Sequence, residues 1–208
     1  MINYPTGQQP SFSKHNNNKR TSQSKQTIYS SRGMSLEDRL NQSNEYYLQR
    51  QIAAIHKKPT PVQVVSVDYP RRSQARITEA YYRHASTTDY NGVYHGYYLD
   101  FEAKETKNKT SFPLSNIPDH QLNHMRQCVV SGGIVFLILS FHYHQEVYLI
   151  PYLMVDQFIR ENKKKSLPYK FIKENAYLCK TGIAPLIDYL EAVDRYLIDK
   201  DSLLESED

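Results

Sequence analysis

The stretch YYLDFEAKET, Tyr97 to Thr106, lies near the middle of the chain. Read with a period of two, Leu99, Phe101 and Ala103 share one face of a strand, and Tyr98, Asp100, Glu102 and Lys104 share the other. A strand that buries one face while aligning two carboxylates and an ammonium on the opposite one is an unusual use of a sheet. Just upstream, Asn91-Gly92 is a strong tight-turn signal between Thr87-Thr88-Asp89 and a strand over 93–106. Across such a turn Asp89 reaches the face that carries Glu102 and Lys104.

Two carboxylates that converge on one point repel each other unless a cation lies between them. Oxygen ligands partly open to solvent favour Mg²⁺ or Mn²⁺ over zinc. Such an ion polarises a phosphoryl oxygen and activates water, and a neighbouring lysine stabilises developing negative charge. This is chemistry for hydrolysing a phosphodiester. Spacing alone is also explained by a solvated sheet face, because E-x-K triplets are common. Glu105-Thr106-Lys107 runs into a polar loop and Glu161-Asn162-Lys163 ends a helix. The triplet at 102–104 is set apart by its buried-strand pattern and the upstream aspartate.

Working outward, Leu36, Leu40, Tyr47, Leu48, Ile52 and Ile55 recur at helical spacing behind Ser35, which predicts a helix over 34–57 stopped by Pro59 and Pro61. A strand over 62–69 and an antiparallel return over 75–84 follow. Beyond the charged strand the pattern predicts a helix over 119–131, strands over 133–142 and 146–150, a short helix over 152–162, a basic loop KKKSLPYK and a last helix over 185–198. This order suits an α/β or α+β fold with a central mixed β-sheet flanked by helices.

The chain has 208 residues, 39% of them hydrophobic, and a net charge of +4 that is unevenly placed. Residues 1–32 carry Lys14, Lys19, Arg20, Lys25 and Arg32 and no acid, which predicts a disordered basic arm suited to a polyanion, nucleic acid above all. A single folded domain is expected over 33–200, with an acidic tail over 201–208. Cys128 and Cys179 make no disulfide framework and suit a reducing cytoplasm. No signal peptide is evident, and GGIVFLILSF is about half the length of a membrane helix. The histidine pairs His120/His124 and His142/His144 lack the partners of a zinc motif. No glycine-rich phosphate loop appears.

Asp89 followed by Glu102-Ala103-Lys104 resembles the PD-(D/E)xK nuclease superfamily. More narrowly, RGMSLEDRLNQSNEYY, STTDYNGVYHGYYLDFEAKET, the HQLNHM helix and GGIVFLILSF, in that order, resemble the RecU-type Holliday junction resolvases. The resemblance implies a restriction-endonuclease-like fold with a projecting two-stranded stalk at about 66–84. It also implies a metal shell of Thr87, Asp89, Glu102 and Gln121, with Lys104 as transition-state stabiliser. Thr88 replaces the proline of the superfamily signature. Glu37, on the first helix, and Asp100 are secondary candidates: the one an outer carboxylate, the other a structural partner for a nearby base.

DYPRRSQARITEAYYR concentrates Arg71, Arg72, Arg76 and Arg83 with Tyr69, Tyr81 and Tyr82. Arginine forks match phosphate geometry and tyrosine rings stack on exposed bases. A soluble hairpin with a charged tip explains the same residues; in the resembled family this region enters the centre of a four-way junction. Lys107, Lys109 and Lys163 to Lys165 are flanking candidates. The reading reached is a Mg²⁺-dependent endonuclease, Mn²⁺ its possible substitute, that acts as a homodimer on four-way junction DNA in recombination and repair. The resemblance adds an influence on the recombinase RecA. Two rivals stay open: a same-fold endonuclease on duplex DNA and a non-catalytic DNA-binding accessory.

Overall fold

The computed structural model describes residues 33–71, 74–83 and 87–205. The basic arm and Arg72 therefore lie outside the described residues. Helix α1 (Leu36–Gln49) is capped by Ser35, whose hydroxyl oxygen accepts from the Asp38 backbone N–H at 3.1 Å. Glu37 and Asp38 sit in its first turn, where the helix dipole favours acids. The helix stops at Arg50, and Gln51 reverses the chain with a φ of 58°. The helix expected through residue 57 is thus too long, because Ala54–Lys57 form a strand, β1. A short apolar run such as Ile52 to Ile55 fits either period, and pairing with a second strand decides it.

β2 (Val62–Asp68) and β3 (Arg76–Tyr82) pair antiparallel as a separate two-stranded sheet, with the register shifting around Val65. β4 (Tyr90–Tyr94) and β5 (Tyr97–Thr106) form the hairpin that carries the charged strand. Its turn is His95-Gly96, with φ of 49° and 82°, and not Asn91-Gly92, which lies inside β4. A two-residue hairpin turn needs positive φ at its central positions, and these two residues adopt it. Gly92 answers a different demand. A Cβ there would fall 2.2 Å from the Ala54 carbonyl oxygen and 2.5 Å from the Ile55 Cα, so glycine lets β1 close on β4.

The rest of the chain supplies β6 (Ser111–Pro113), α2 (Asp119–Val130), β7 (Ile134–Phe141), β8 (Glu146–Pro151), α3 (Tyr152–Glu161), β9 (Ser166–Pro168), α4 (Tyr169–Asn175), β10 (Tyr177–Leu178), β11 (Lys180–Thr181), β12 (Ile187–Asp188) and α5 (Tyr189–Glu205). Two expectations change. The basic loop after α3 holds β9 and the start of α4, and the last helix begins at Tyr189 rather than Pro185 and runs on into the acidic tail.

The central sheet has the order β1-β4-β5-β7-β8-β10, with β5 and β7 parallel and the other neighbours antiparallel. It is the mixed sheet flanked by helices that the element order implied. A parallel neighbour needs a crossover, and α2 provides it. All eight residues of β7 are buried, as befits a strand covered on both faces. On one face Leu99, Phe101, Ile134 and Phe136 pack with Leu36 and Leu40 of α1 and Tyr189 and Val193 of α5. On the other, Val135, Leu137 and Leu139 pack with Met125 of α2, Val155 of α3 and Ile172 of α4. Asp100 pairs with Val135 and Glu102 with Leu137, so both carboxylates lie in that second layer. Among the described residues no helix is long and apolar enough to cross a membrane.

Gly92→Ala is expected to lower stability by about 3 kcal/mol, since backbone rather than a flexible side-chain end must yield to the new methyl group. Urea unfolding of the two proteins measures the difference.

Candidate active site

Glu102 is fully buried, the opposite of the partly solvated carboxylate expected from the alternation. Its Oε2 accepts from the Asp89 backbone N–H at 3.0 Å and its Oε1 from Lys104 Nζ at 2.6 Å. Burial first and then the charge of Asp89 push the Glu102 carboxyl up to about 7 against the opposing effect of Lys104. Asp89 is placed by the hairpin. Tyr90 pairs with Phe101, so the residue before it falls opposite Glu102. On its other side the Asp89 carbonyl accepts from the Lys58 backbone N–H at 2.7 Å, which extends the β1–β4 ladder by one step.

Gln121 lies in the first turn of α2, the helix packed over β5 and β7. It is buried, and its Oε1 has no hydrogen-bond partner among the described residues. An unpaired buried carbonyl oxygen costs about 1–3 kcal/mol, so this one calls for a donor or a cation. Thr87 is half-buried beside Asp89, and its hydroxyl donates to the Thr88 carbonyl at 3.4 Å. Glu37 is half-exposed and paired with Lys57. Burial first and then Glu37 and Asp89 push the Tyr90 phenol up, on the sheet face opposite to Glu102. Tyr90 donates to Asn41 Oδ1 at 3.0 Å.

These features fit a divalent cation. Of two neighbouring carboxylates, the buried one is drawn toward its neutral form and holds one ammonium, and an uncommitted amide oxygen lies on the adjacent helix. The donors are all oxygens, the set that hard cations prefer.

Asp100 shares the β5 face but is already fully paired. Its Oδ2 accepts from Lys58 Nζ at 2.7 Å and from the Tyr98 hydroxyl at 2.9 Å. Its Oδ1 accepts from the Thr88 hydroxyl and lies 3.2 Å from His124 Nε2. Asp100, His124 and Cys128 offer ligand atoms within 4.8 Å of one another. The Lys58 ammonium and the hydroxyls already occupy the carboxylate, so the group is read as an ion-pair network. Lys58 carries no signal in the sequence, and Thr88 and His124, visible there only as the residue before Asp89 and as half of a histidine pair, show no link to Asp100. The β1–β4 pairing that brings residue 58 to residue 89 is hidden there, because residues 52–57 read as helix.

The two-stranded β2–β3 sheet is exposed nearly throughout. Tyr69, Tyr81 and Tyr82 are 68%, 61% and 84% exposed. Arg71 and Arg76 sit at the end where Asp68 pairs with Arg76, whereas Arg83 is at the opposite end next to the Val62–Tyr82 pair. Arg83 therefore does not share a tip with Arg71 and Arg76. Arg83 donates through Nε and Nη2 to Gln63 Oε1, at 3.0 and 2.9 Å, and Tyr81 donates to Glu79 at 2.7 Å. Lys109 Nζ lies 4.0 Å from the centre of the Tyr143 ring.

A family model described as "RecU: Recombination protein U" matches residues 31–195. A protein of Staphylococcus aureus (strain JH9) named Holliday junction resolvase RecU is 51% identical over 211 aligned residues, covering 100% of this chain and 99% of its own. One of the same name from Lactobacillus helveticus (strain DPC 4571) is 47% identical over 207, covering 97% and 99%. The solved structure of Hjc, a Holliday junction resolvase from Archaeoglobus fulgidus, matches with a TM-score of 0.38 and 10% identity over 65% of this chain and 92% of its own, a likeness too distant to bear on function. Family model and full-length relatives agree: this chain belongs to the Recombination protein U family.

Proposed function

We propose that this chain is a Mg²⁺-dependent, structure-selective endonuclease that resolves Holliday junctions by paired cuts. The observation that carries the reading is the buried Glu102, flanked by Asp89 and held by Lys104, in a chain whose full-length relatives are named Holliday junction resolvases. Asp89 and Glu102 would hold the cation, with Thr87 and the unpaired Gln121 oxygen completing the donor set. When bound, the ion supplies Lewis-acid charge that polarises the phosphoryl group and activates water, with Mn²⁺ able to substitute.

The protein's own groups do the rest. Glu102 would hold the ion as a carboxylate; burial and the charge of Asp89 raise its carboxyl to about 7, and Lys104 favours the ionised form. Lys104, donating to Glu102 at 2.6 Å, would place its ammonium beside the negative charge that builds on the non-bridging phosphate oxygens. Burial in the Val135–Leu137 layer excludes bulk water and strengthens each of these interactions. Products bearing a 5′-phosphate follow from the family reading.

The exposed β2–β3 ribbon is the proposed recognition element, with Arg71 and Arg76 on phosphates near one end, Arg83 at the other, Tyr81 stacking on bases, and Arg72 a further phosphate contact outside the described residues. Two symmetric cuts in one junction require two sites related by a two-fold axis, which makes a homodimer the natural assembly. An influence on RecA rests on the family alone.

In a cleavage assay with Mg²⁺, a mobile four-way junction should be cut far faster than a duplex of matching sequence; equal rates would favour the duplex-nuclease reading. Asp89→Ala and Lys104→Ala should each lower the cleavage rate by about 100-fold or more while leaving junction binding in EDTA near wild type. An active Asp89→Ala would defeat the site assignment, and an inactive parent protein would favour the DNA-binding accessory. Arg71→Ala and Arg76→Ala should weaken junction binding, each lowering the slope of log affinity against log salt by about 1. Equilibrium binding at graded salt measures this directly.

A further inference from the structure

We infer that Asp100 and Lys58 are positioning residues that set the geometry of the proposed cation site; the inference rests on the nuclease reading above. Asp100 is fully buried and bonds to each element that brings a ligand to the site. Through Thr88 it grips the Thr87–Asp89 segment. Through Lys58 Nζ, at 2.7 Å, it holds the residue after β1. Through His124 Nε2, at 3.2 Å, it reaches α2, which carries Gln121 one turn earlier on the same face.

Lys58 closes the circuit. Its ammonium also donates to Thr88 Oγ1 at 2.8 Å, and its backbone N–H donates to the Asp89 carbonyl at 2.7 Å. Asp89 is therefore fixed from two sides, with its carbonyl on Lys58 and its N–H on Glu102. Its neighbour Thr88 is fixed by the Lys58–Asp100 pair. The spacing between the aspartate segment and the helix bearing Gln121 passes through a single carboxylate.

Stability alone does not account for this arrangement. A buried ion pair is often no more stable than apolar residues of similar volume, because desolvation offsets the attraction. Asp100 touches no part of the proposed cation shell itself, so its effect is through the placement of groups that do. Outer partners of this kind typically change metal affinity by about 10–100-fold.

The test uses the full chain as wild type, Asp100→Asn, Lys58→Met and the double variant. Mn²⁺ binding without DNA is followed by calorimetry, junction cleavage by Mg²⁺ titration, junction binding in EDTA by gel shift and folding by thermal melting. Both single variants should bind Mn²⁺ about tenfold or more weakly and need correspondingly more Mg²⁺ for half-maximal cleavage. They should approach wild-type cleavage at saturating Mg²⁺ and bind junctions in EDTA as wild type does. The double variant removes both charges of the pair, so its melting temperature should recover toward wild type while its Mn²⁺ affinity stays low. Wild-type metal affinity in a folded single variant, or affinity that recovers in step with melting temperature in the double variant, would overturn the inference. A wild-type protein that binds no Mn²⁺ and cuts no junction removes the nuclease reading, and this one with it. A wild type active in both assays beside unshifted variants removes only the positioning role.

Discussion

Burying carboxylates on the middle strand of a closed layer is the constraint from which the rest of the structure follows. Asp100 and Glu102 are both fully buried on β5, opposite Val135 and Leu137 of β7. A carboxylate in such surroundings must be paired or neutral. The two residues meet that demand differently. Asp100 receives an ammonium, two hydroxyls and an imidazole and is satisfied. Glu102 receives one ammonium and a backbone N–H and lies beside a further carboxylate, which leaves it drawn toward protonation. Two residues apart on one strand, the first is spent on structure and the second is left electrostatically unfinished.

The sheet order makes that difference possible. β5 has an antiparallel hairpin partner on one side and a parallel, fully buried strand on the other. The hairpin delivers Asp89 opposite Glu102, and β1, on the outer side of β4, delivers Lys58 opposite Asp89. The crossover between β5 and β7 is the helix that brings Gln121 and His124 over the same face. Gly92 is the hidden requirement of this scheme, because a side chain there would keep β1 from β4. The glycine in a sequence that looks like a turn is there for close packing instead.

The charged face of 97–106 and the helix over 119–130 are legible in sequence because their patterns are periodic, and the two strands after them because they are short apolar, β-branched runs. Asp89, Glu102 and Lys104 are brought together as their alternation implies, although the turn between them was placed on the wrong residues. The rest was not legible for physical reasons. Asn-Gly is favourable for a tight turn, but His95-Gly96 also tolerates positive φ, and the sheet register chooses between them. Residues 52–57 carry apolar side chains that suit helix or strand, and only β4 resolves the choice. Solvation could not be read either. Alternation says that Asp100 and Glu102 share a face, but whether a helix covers that face depends on α2, distant in sequence.

The β2–β3 ribbon follows the opposite rule. An isolated two-stranded ribbon is marginal in water, because neither face has a layer to pack against. This one leaves Val62, Val64, Val65, Ile77, Tyr69, Tyr81 and Tyr82 exposed. Apolar and aromatic area on that scale marks a contact surface rather than a solvated hairpin. Arginine forks and tyrosine rings of the kind it carries suit phosphates and bases, the proposed contacts, and the nearest acids, Asp68 and Glu79, are few. The core, by contrast, excludes solvent from its carboxylates. The proposed recognition on the exposed ribbon and the proposed chemistry in the closed layer are therefore governed by different interactions, salt-sensitive in one case and burial-driven in the other. A single chain can weaken one and keep the other, which is the physical basis for separating junction binding from junction cutting.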